Sequence, residues 1–317
     1  MNTLLITRPL PETVVAKART SFDVTVREDT SPLTADELRM SLTDYDAVLP
    51  TLRDAYSAEV FADVPQPRAR ILANFGVGYN HIDVEAARAA GIEVTNTPGA
   101  VTDATADIAM TLILVSCRRA GEGERMVRAG QWDGWHPTQL LGQHVSGKRV
   151  GIIGMGRIGQ AIARRCHFGF GMAVSYFSRS AKDLPYPARF CSDLHALATE
   201  ADILVVAVPG GADTLHLINA DVFEVMQSHA HLINISRGEV VDEAALISAL
   251  EGQKIAGAGL DVYEFEPSIP DALTALDNVT LLPHLGTAAL EVREGMGLMA
   301  VANLEAFTTG APLPNRV

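Results

Sequence analysis

Three side chains in this sequence could between them hold an anion and move a proton: Arg237, Glu266 and His284. Arg237 lies in Ile235-Ser236-Arg237-Gly238, Glu266 directly precedes Pro267, and His284 directly follows Pro283. A guanidinium can grip a carboxylate in its fork. An imidazolium can give a proton to a carbonyl oxygen, and a carboxylate beside it favours the charged ring. Taken singly, Arg237 reads as a surface charge and the other two as ordinary loop residues. What sets them apart is placement, because each falls just beyond an apolar run with the character of a strand, at residues 231–235, 255–260 and 279–282. In an open α/β sheet the carboxyl ends of the strands are where ligands bind.

The stretch that must position such a set is residues 148–180, KRVGIIGMGRIGQAIARRCHFGFGMAVSYFSRS. Val150, Ile152 and Ile153 suit a buried parallel strand, which passes without a spacer into Gly154-Met155-Gly156-Arg157-Ile158-Gly159. Ala161, Ile162 and Ala163 continue with helical character, and a second apolar run follows at 172–177. In a βαβ unit of this kind Gly154 permits the tight turn, Gly156 lets the backbone approach a pyrophosphate, and Gly159 lets helix and strand pack closely. The helix N-terminus offers N–H groups to the phosphates. Beside a dinucleotide, Arg237, Glu266 and His284 make a dehydrogenase set. The residue ending the second strand is commonly acidic where the cofactor is NAD, and here it is Ser178, followed by Arg179 and Ser180. Without a carboxylate to repel a 2′-phosphate and with a guanidinium to pair with it, NADPH is the expected cofactor, with NADH possible.

The remaining chain alternates in the same way. Residues 4–7, 24–26, 47–49, 71–75 and 92–95 read as strands, with helices at 11–21, 34–42, 57–61 and 82–90, a flavodoxin-like unit. A glycine-rich turn at 74–81, NFGVGYNH, follows the fourth of these strands, as a ligand-binding edge or as a plain βα turn. Thr97-Pro98-Gly99 breaks the pattern, and a long helix from Thr102 reads as a crossover into a second domain. Both tryptophans, Trp132 and Trp135, fall at 130–137, as packing anchors or as part of an interface. A further strand is expected at 203–208, and residues 288–307 are helical in character. The chain has 317 residues, 48% of them hydrophobic, enough for two domains with buried cores. With 25 basic and 38 acidic residues its net charge is −13, which argues against nucleic acid and anionic membranes as partners. No apolar run reaches membrane-spanning length and the N-terminus lacks a signal-peptide core, so a soluble, cytoplasmic protein is expected. Cys117, Cys166 and Cys191 lack metal-ligand spacing, and no metal is expected.

Four segments, VGIIGMGRIGQAIARR, INISRGEVVDEAALISAL, AGAGLDVYEFEP and LLPHLGTAA, occur in order and resemble the D-isomer-specific 2-hydroxyacid dehydrogenases, and within them the glyoxylate/hydroxypyruvate reductases. The resemblance spans nearly the whole chain. It implies two doubly wound α/β domains: a Rossmann dinucleotide-binding domain at 99–287, inserted into a flavodoxin-like substrate domain made of 1–98 and 288–317. Two hinge crossings would then let the cleft close on a ligand. It implies that Arg237 binds and polarises a small anionic 2-oxo acid, that Glu266 orients His284, and that His284 is the general acid/base. The N–H groups of Val77 and Gly78 would hold the substrate carboxylate. Asp261 would take the nicotinamide carboxamide, with Ile235 and Ser236 on the nicotinamide side and Val208 and Pro209 also against the cofactor. A homodimer built on the helix after Pro98 and the tryptophan segment is implied as well. Two other outcomes compatible with the resemblance are a dinucleotide-sensing corepressor and a dehydrogenase for another 2-hydroxy acid, such as 3-phosphoglycerate. The sequence departs from the family at VPGGADT, residues 208–214, where His-x-Pro-Leu-Thr is usual, and at LGTAAL after His284.

Overall fold

Short runs of β-branched and aliphatic residues alternate with amphipathic stretches along the whole chain, and that alternation can be buried only as parallel strands covered by helices on both faces. The structure, a computed structural model, describes every residue from Met1 to Val317. The chain forms two compact units, Met1–Val101 with Thr287–Val317, and Thr102–Gly286.

In the first unit β1 (Asn2–Ile6), β2 (Phe22–Val26), β3 (Ala47–Leu49), β4 (Ile71–Ala73) and β5 (Glu93–Thr95) form one parallel sheet in the order β2-β1-β3-β4-β5. This is the flavodoxin-like doubly wound order. The side chains alternate between two cores: Leu5, Val48, Leu72 and Val94 lie on one face with Leu38 and Phe61. On the other, Leu4, Ile6, Leu49 and Ile71 pack with Ala300, Val301 and Leu304 of the helix Leu290–Thr308. Local signals start the helices. The Thr34 hydroxyl accepts the Glu37 N–H while the Glu37 carboxylate accepts the Thr34 N–H, a reciprocal capping box.

The second unit holds β6 (Arg149–Ile153), β7 (Ala173–Phe177), β8 (Ala188–Cys191), β9 (Ile203–Val206), β10 (His231–Asn234), β11 (Gly257–Leu260) and β12 (Val279–Leu281). All seven are parallel, in the order β12-β11-β10-β9-β6-β7-β8. Strand order reverses at β6, which pairs with β7 on one side and β9 on the other, the switch point at which Rossmann sheets bind dinucleotides. The sequence reading did not include β8. Its residues Arg189 and Phe190 are exposed, so this edge strand lacks the apolar run that marks its neighbours. The helix from Thr102 stops at Cys117, and a second begins at Ala120 after Arg119 takes a left-handed conformation, φ 52°. Beyond it Trp132 and Trp135 are exposed, 54% and 78%, so neither anchors the packing of its own chain. No helix is long and apolar enough to cross a membrane.

Candidate active site

The loop after β6 has the shape its glycines predict. Gly154 has φ +99°, and a Cβ there would meet the Ala207 carbonyl oxygen at 2.6 Å. A Cβ on Gly159 would lie 2.0 Å from the Gly154 oxygen, so only hydrogen fits where the helix Arg157–Phe170 crosses the strand end. Around Gly156 the opposite holds: a Cβ would meet nothing within 4 Å, leaving open space at a helix N-terminus that no side chain caps. A loop pressed tight at its two ends and open at its middle glycine fits a pyrophosphate approaching the N–H groups of Arg157, Ile158 and Gly159. Buried Met155 and the tie from the Gly154 N–H to the Phe177 carbonyl at 2.9 Å hold the loop in place.

At the end of β7 the Ser178–Lys182 turn is fixed from within. The Tyr176 hydroxyl accepts the Lys182 N–H at 2.7 Å, and Lys182 Nζ donates to Ser180 Oγ at 3.1 Å. The Ser178 hydroxyl donates to the Ser180 carbonyl at 2.6 Å. Arg179 at the tip is exposed.

The second unit also brings Arg237, Glu266 and His284 to the carboxyl ends of β10, β11 and β12. His284 Nδ1 lies 3.0 Å from Glu266 Oε2, and Glu266 Oε1 accepts the Tyr263 N–H at 3.1 Å. Burial pushes the Glu266 carboxyl up, but the hydrogen bond and charge of His284, the Tyr263 N–H and the charge of Arg237 outweigh it and hold it below its ordinary value. Burial pulls the Arg237 guanidinium below its ordinary value, with the carboxylates of Glu239 and Glu266 working the other way. Arg237 Nη1 donates to the Ser236 carbonyl at 2.8 Å, and no carboxylate forms an ion pair with it, so its fork is available to a ligand. The departure at residues 208–214 has a physical reason here. A Cβ on Gly210 would meet Arg237 Cγ at 2.6 Å and Glu239 Oε1 at 2.5 Å, so the glycine lets both side chains lie against the β9 loop. That loop is tied back by the Ser236 hydroxyl, which donates to the Val208 carbonyl, and by Thr214, which donates to the Pro209 carbonyl at 2.8 Å. Ile235 and Ser236 are both buried.

Sequence reasoning named Asp261 for the nicotinamide but missed its support of this set, and it missed Asn234 altogether. Asp261, 2% exposed, accepts the Leu285 and Gly286 N–H groups at 2.6 and 2.8 Å, and its carbonyl accepts the His284 N–H at 2.9 Å. It thereby holds His284 in a left-handed conformation, φ 55°, that few non-glycine residues adopt. Asn234 accepts the Ser236 N–H and donates to the Arg237 carbonyl, both at 3.0 Å, and so shapes the turn that presents Arg237. The available signal was a polar residue closing an otherwise apolar strand, HLIN.

In the first unit the turn after β4 presents Val77 and Gly78, whose N–H groups donate to no acceptor of the chain. Asn74 Nδ2 donates to the Gly76 and Gly78 carbonyls at 3.1 and 3.0 Å, while its Oδ1 lies 3.1 Å from His81 Nε2. A concave run of peptide donors is an anion-binding arrangement.

Comparison with known proteins gives the family. The family described as D-isomer specific 2-hydroxyacid dehydrogenase, NAD binding domain, matches residues 110–286. A glyoxylate reductase from Thermococcus onnurineus is 44% identical, covering 99% of this chain and 95% of its own length. Among solved structures, a putative D-isomer specific 2-hydroxyacid dehydrogenase from a Polaromonas species is 38% identical with a TM-score of 0.94, covering 100% of this chain and 99% of the other. An NADPH-dependent glyoxylate/hydroxypyruvate reductase from Sinorhizobium meliloti, solved with NADP and malonate, is 36% identical with a TM-score of 0.87, covering 100% of this chain and 96% of the other. The chain belongs to the D-isomer-specific 2-hydroxyacid dehydrogenases and is an NAD(P)-dependent enzyme of that family.

Proposed function

We propose that this enzyme reduces small 2-oxo acids, glyoxylate and hydroxypyruvate first among them, to D-2-hydroxy acids with NADPH as the preferred reductant. The observation that carries the reading is an imidazole held at Nδ1 by a carboxylate, 3.0 Å away, in the neighbourhood of an arginine without an ion pair. The names borne by the Thermococcus and Sinorhizobium relatives support the substrate class. When bound, the nicotinamide supplies hydride to the carbonyl carbon. Arg237 grips and polarises the oxo acid, and the N–H groups of Val77 and Gly78 take its carboxylate. Protonated His284 gives its Nε2 proton to the oxygen as negative charge develops there, and Glu266 stabilises the imidazolium and fixes the ring. Gly154 to Gly159 hold the pyrophosphate. Asp261, Ile235 and Ser236 serve the nicotinamide end, and Val208 and Pro209 also border the cofactor.

The NADPH preference rests on the Ser178–Lys182 turn, which offers no carboxylate to repel a 2′-phosphate, an Arg179 without an ion pair, and Lys182 beside Ser180. A charge-assisted contact is worth about 1.5–3 kcal/mol, so Arg179→Ala should cost NADPH roughly ten- to a hundredfold in kcat/KM and leave NADH nearly unchanged. Following the loss of reduced-nicotinamide absorbance on adding glyoxylate or hydroxypyruvate, with each cofactor in turn, tests both parts. A wild-type preference for NADH ends the NADPH assignment, and no turnover with any small 2-oxo acid ends the reductase reading. The reading includes a homodimer, for which exposed Val127, Trp132, Trp135 and Leu141 supply apolar surface. Sedimentation as a monomer at micromolar concentration would count against it. Cytoplasmic residence, which three buried free thiols suit, completes the proposal.

A further inference from the structure

Buried asparagines in the first unit have no part in the chemistry above. Asn303 lies at 0% exposure in the helix Leu290–Thr308, on a face packed with Ala300, Val301 and Leu304, where an apolar residue would cost nothing in desolvation. Both ends of its amide are engaged: Nδ2 donates to the Asn96 carbonyl and Oδ1 accepts Asn315 Nδ2, each at 3.3 Å. The Asn96 N–H donates to the Asn315 carbonyl at 3.1 Å. The side chain of Asn96, so fixed, donates to the Val77 carbonyl at 2.9 Å. Asn74, 1% exposed, and the Thr97 N–H hold the Gly76 carbonyl at 3.1 and 3.0 Å.

In a trans peptide the C=O of one residue and the N–H of the next point in opposite directions from one plane. Holding the Gly76 carbonyl therefore aims the Val77 N–H, and holding the Val77 carbonyl aims the Gly78 N–H. A flip of either peptide would present carbonyl lone pairs to an anion instead of a donor. We propose that Asn96, supported by Asn303 and accompanied by Asn74, is a positioning residue for the substrate carboxylate, locking the two peptides whose N–H groups receive it. This rests on the role proposed above for Val77 and Gly78. The pins are unequal: the Gly76 carbonyl has two donors, Asn74 and Thr97, whereas the Val77 carbonyl has Asn96 alone. Asn96 therefore matters more than Asn74.

The test is steady-state kinetics with glyoxylate and NADPH, paired with calorimetric titration of oxamate, an unreactive mimic of a 2-oxo acid, into the enzyme with cofactor. Asn96→Ala should raise the glyoxylate KM about tenfold, with kcat changed less than about threefold and the NADPH KM unmoved. Asn96→Asp, which loses the donor and sets a negative charge beside the anion, should raise it further, to about a hundredfold. Asn74→Ala should raise it about threefold. Asn303→Leu keeps the packing and so guards against misfolding, and it too should raise the glyoxylate KM about threefold. The oxamate dissociation constant should move by the same factors. An unmoved glyoxylate KM in folded Asn96→Ala overturns the assignment, as does a rise shared equally by glyoxylate and NADPH. A wild type that reduces no 2-oxo acid and binds no oxamate would instead remove the functional reading, and this inference with it.

Discussion

Glu264 and Glu266 stand two residues apart on one loop, and each bonds the ring of a histidine whose backbone is left-handed: His216 with φ 48° and His284 with φ 55°. By distance the first pair is the stronger, 2.7 Å against 3.0 Å. The surroundings and the ring atom separate them. Glu264 bonds His216 through Nε2, the outer nitrogen of the ring, and its neighbour Glu243 is a buried carboxyl pushed up by burial and by the Glu264 charge. Glu266 bonds His284 through Nδ1, which leaves Nε2 without a partner in the chain, and its neighbour is the Arg237 cation. In the proposed mechanism a carboxylate–histidine pair is thus fitted for acid–base work by which nitrogen it leaves over and by the charge beside it, not by how short the contact is.

Substitution can break this comparison. The largest effect expected is from His284→Ala, a loss of about a thousandfold in kcat at any pH, because a positioned general acid contributes on the order of 10²–10⁴. His216→Ala should cost less than about threefold in the same assay, and comparable losses at the two sites would erase the distinction. Next comes Arg237→Lys. The charge survives but the planar fork does not, so kcat/KM for glyoxylate should fall about a hundredfold, and near-normal activity would show that the fork is idle.

Glu266→Gln should act through pH. Glu266 is held below its ordinary value, so it stays charged through the neutral range and sets a negative charge beside the His284 ring. Removing that charge should move the profile for reduction to lower pH and cost about tenfold near pH 8, and an unshifted profile would uncouple the pair. The smallest effect is on stability. The hydrogen bond and charge of Glu264 raise the His216 ring above its ordinary value, so this pair stabilises the fold fully below about pH 6.5 and loses its contribution as pH rises through the raised value. The His216 ring is 40% exposed and solvent screens it, so His216→Ala should lower Tm by on the order of one or two degrees at pH 5.5 and by less at pH 9. A calorimetric difference independent of pH would show that the pair does not titrate.

Much of this architecture is written in local pattern. Each expected strand run of both sheets overlaps a strand, because a parallel strand covered on both faces is predominantly apolar, as Ile203–Val206 is throughout. Arg237, Glu266 and His284 were legible because they follow such runs. The edge strand Ala188–Cys191 was not, having one face in solvent. Nor was the place of Asp261 under the His284 loop, which depends on hydrogen bonds across 24 and 25 residues. The chain from Asn315 through Asn303 to Asn96 is less legible still. Asparagine has no periodicity of its own, and the Asn303–Asn96 contact joins residues 207 apart.

The Val77–Gly78 turn carries no lysine or arginine, so in the proposed mechanism it holds the substrate carboxylate with peptide groups alone. Peptide N–H donors keep their protons at every pH an enzyme meets, whereas an imidazole does not. In the proposed mechanism the grip on the carboxylate is therefore the same at any pH, and a neutral imidazole can accept a proton from an alcohol. In the reverse reaction oxidised cofactor would take the hydride and the ring the alcohol proton, with the 2-hydroxy acid held by the same two donors that held the 2-oxo acid.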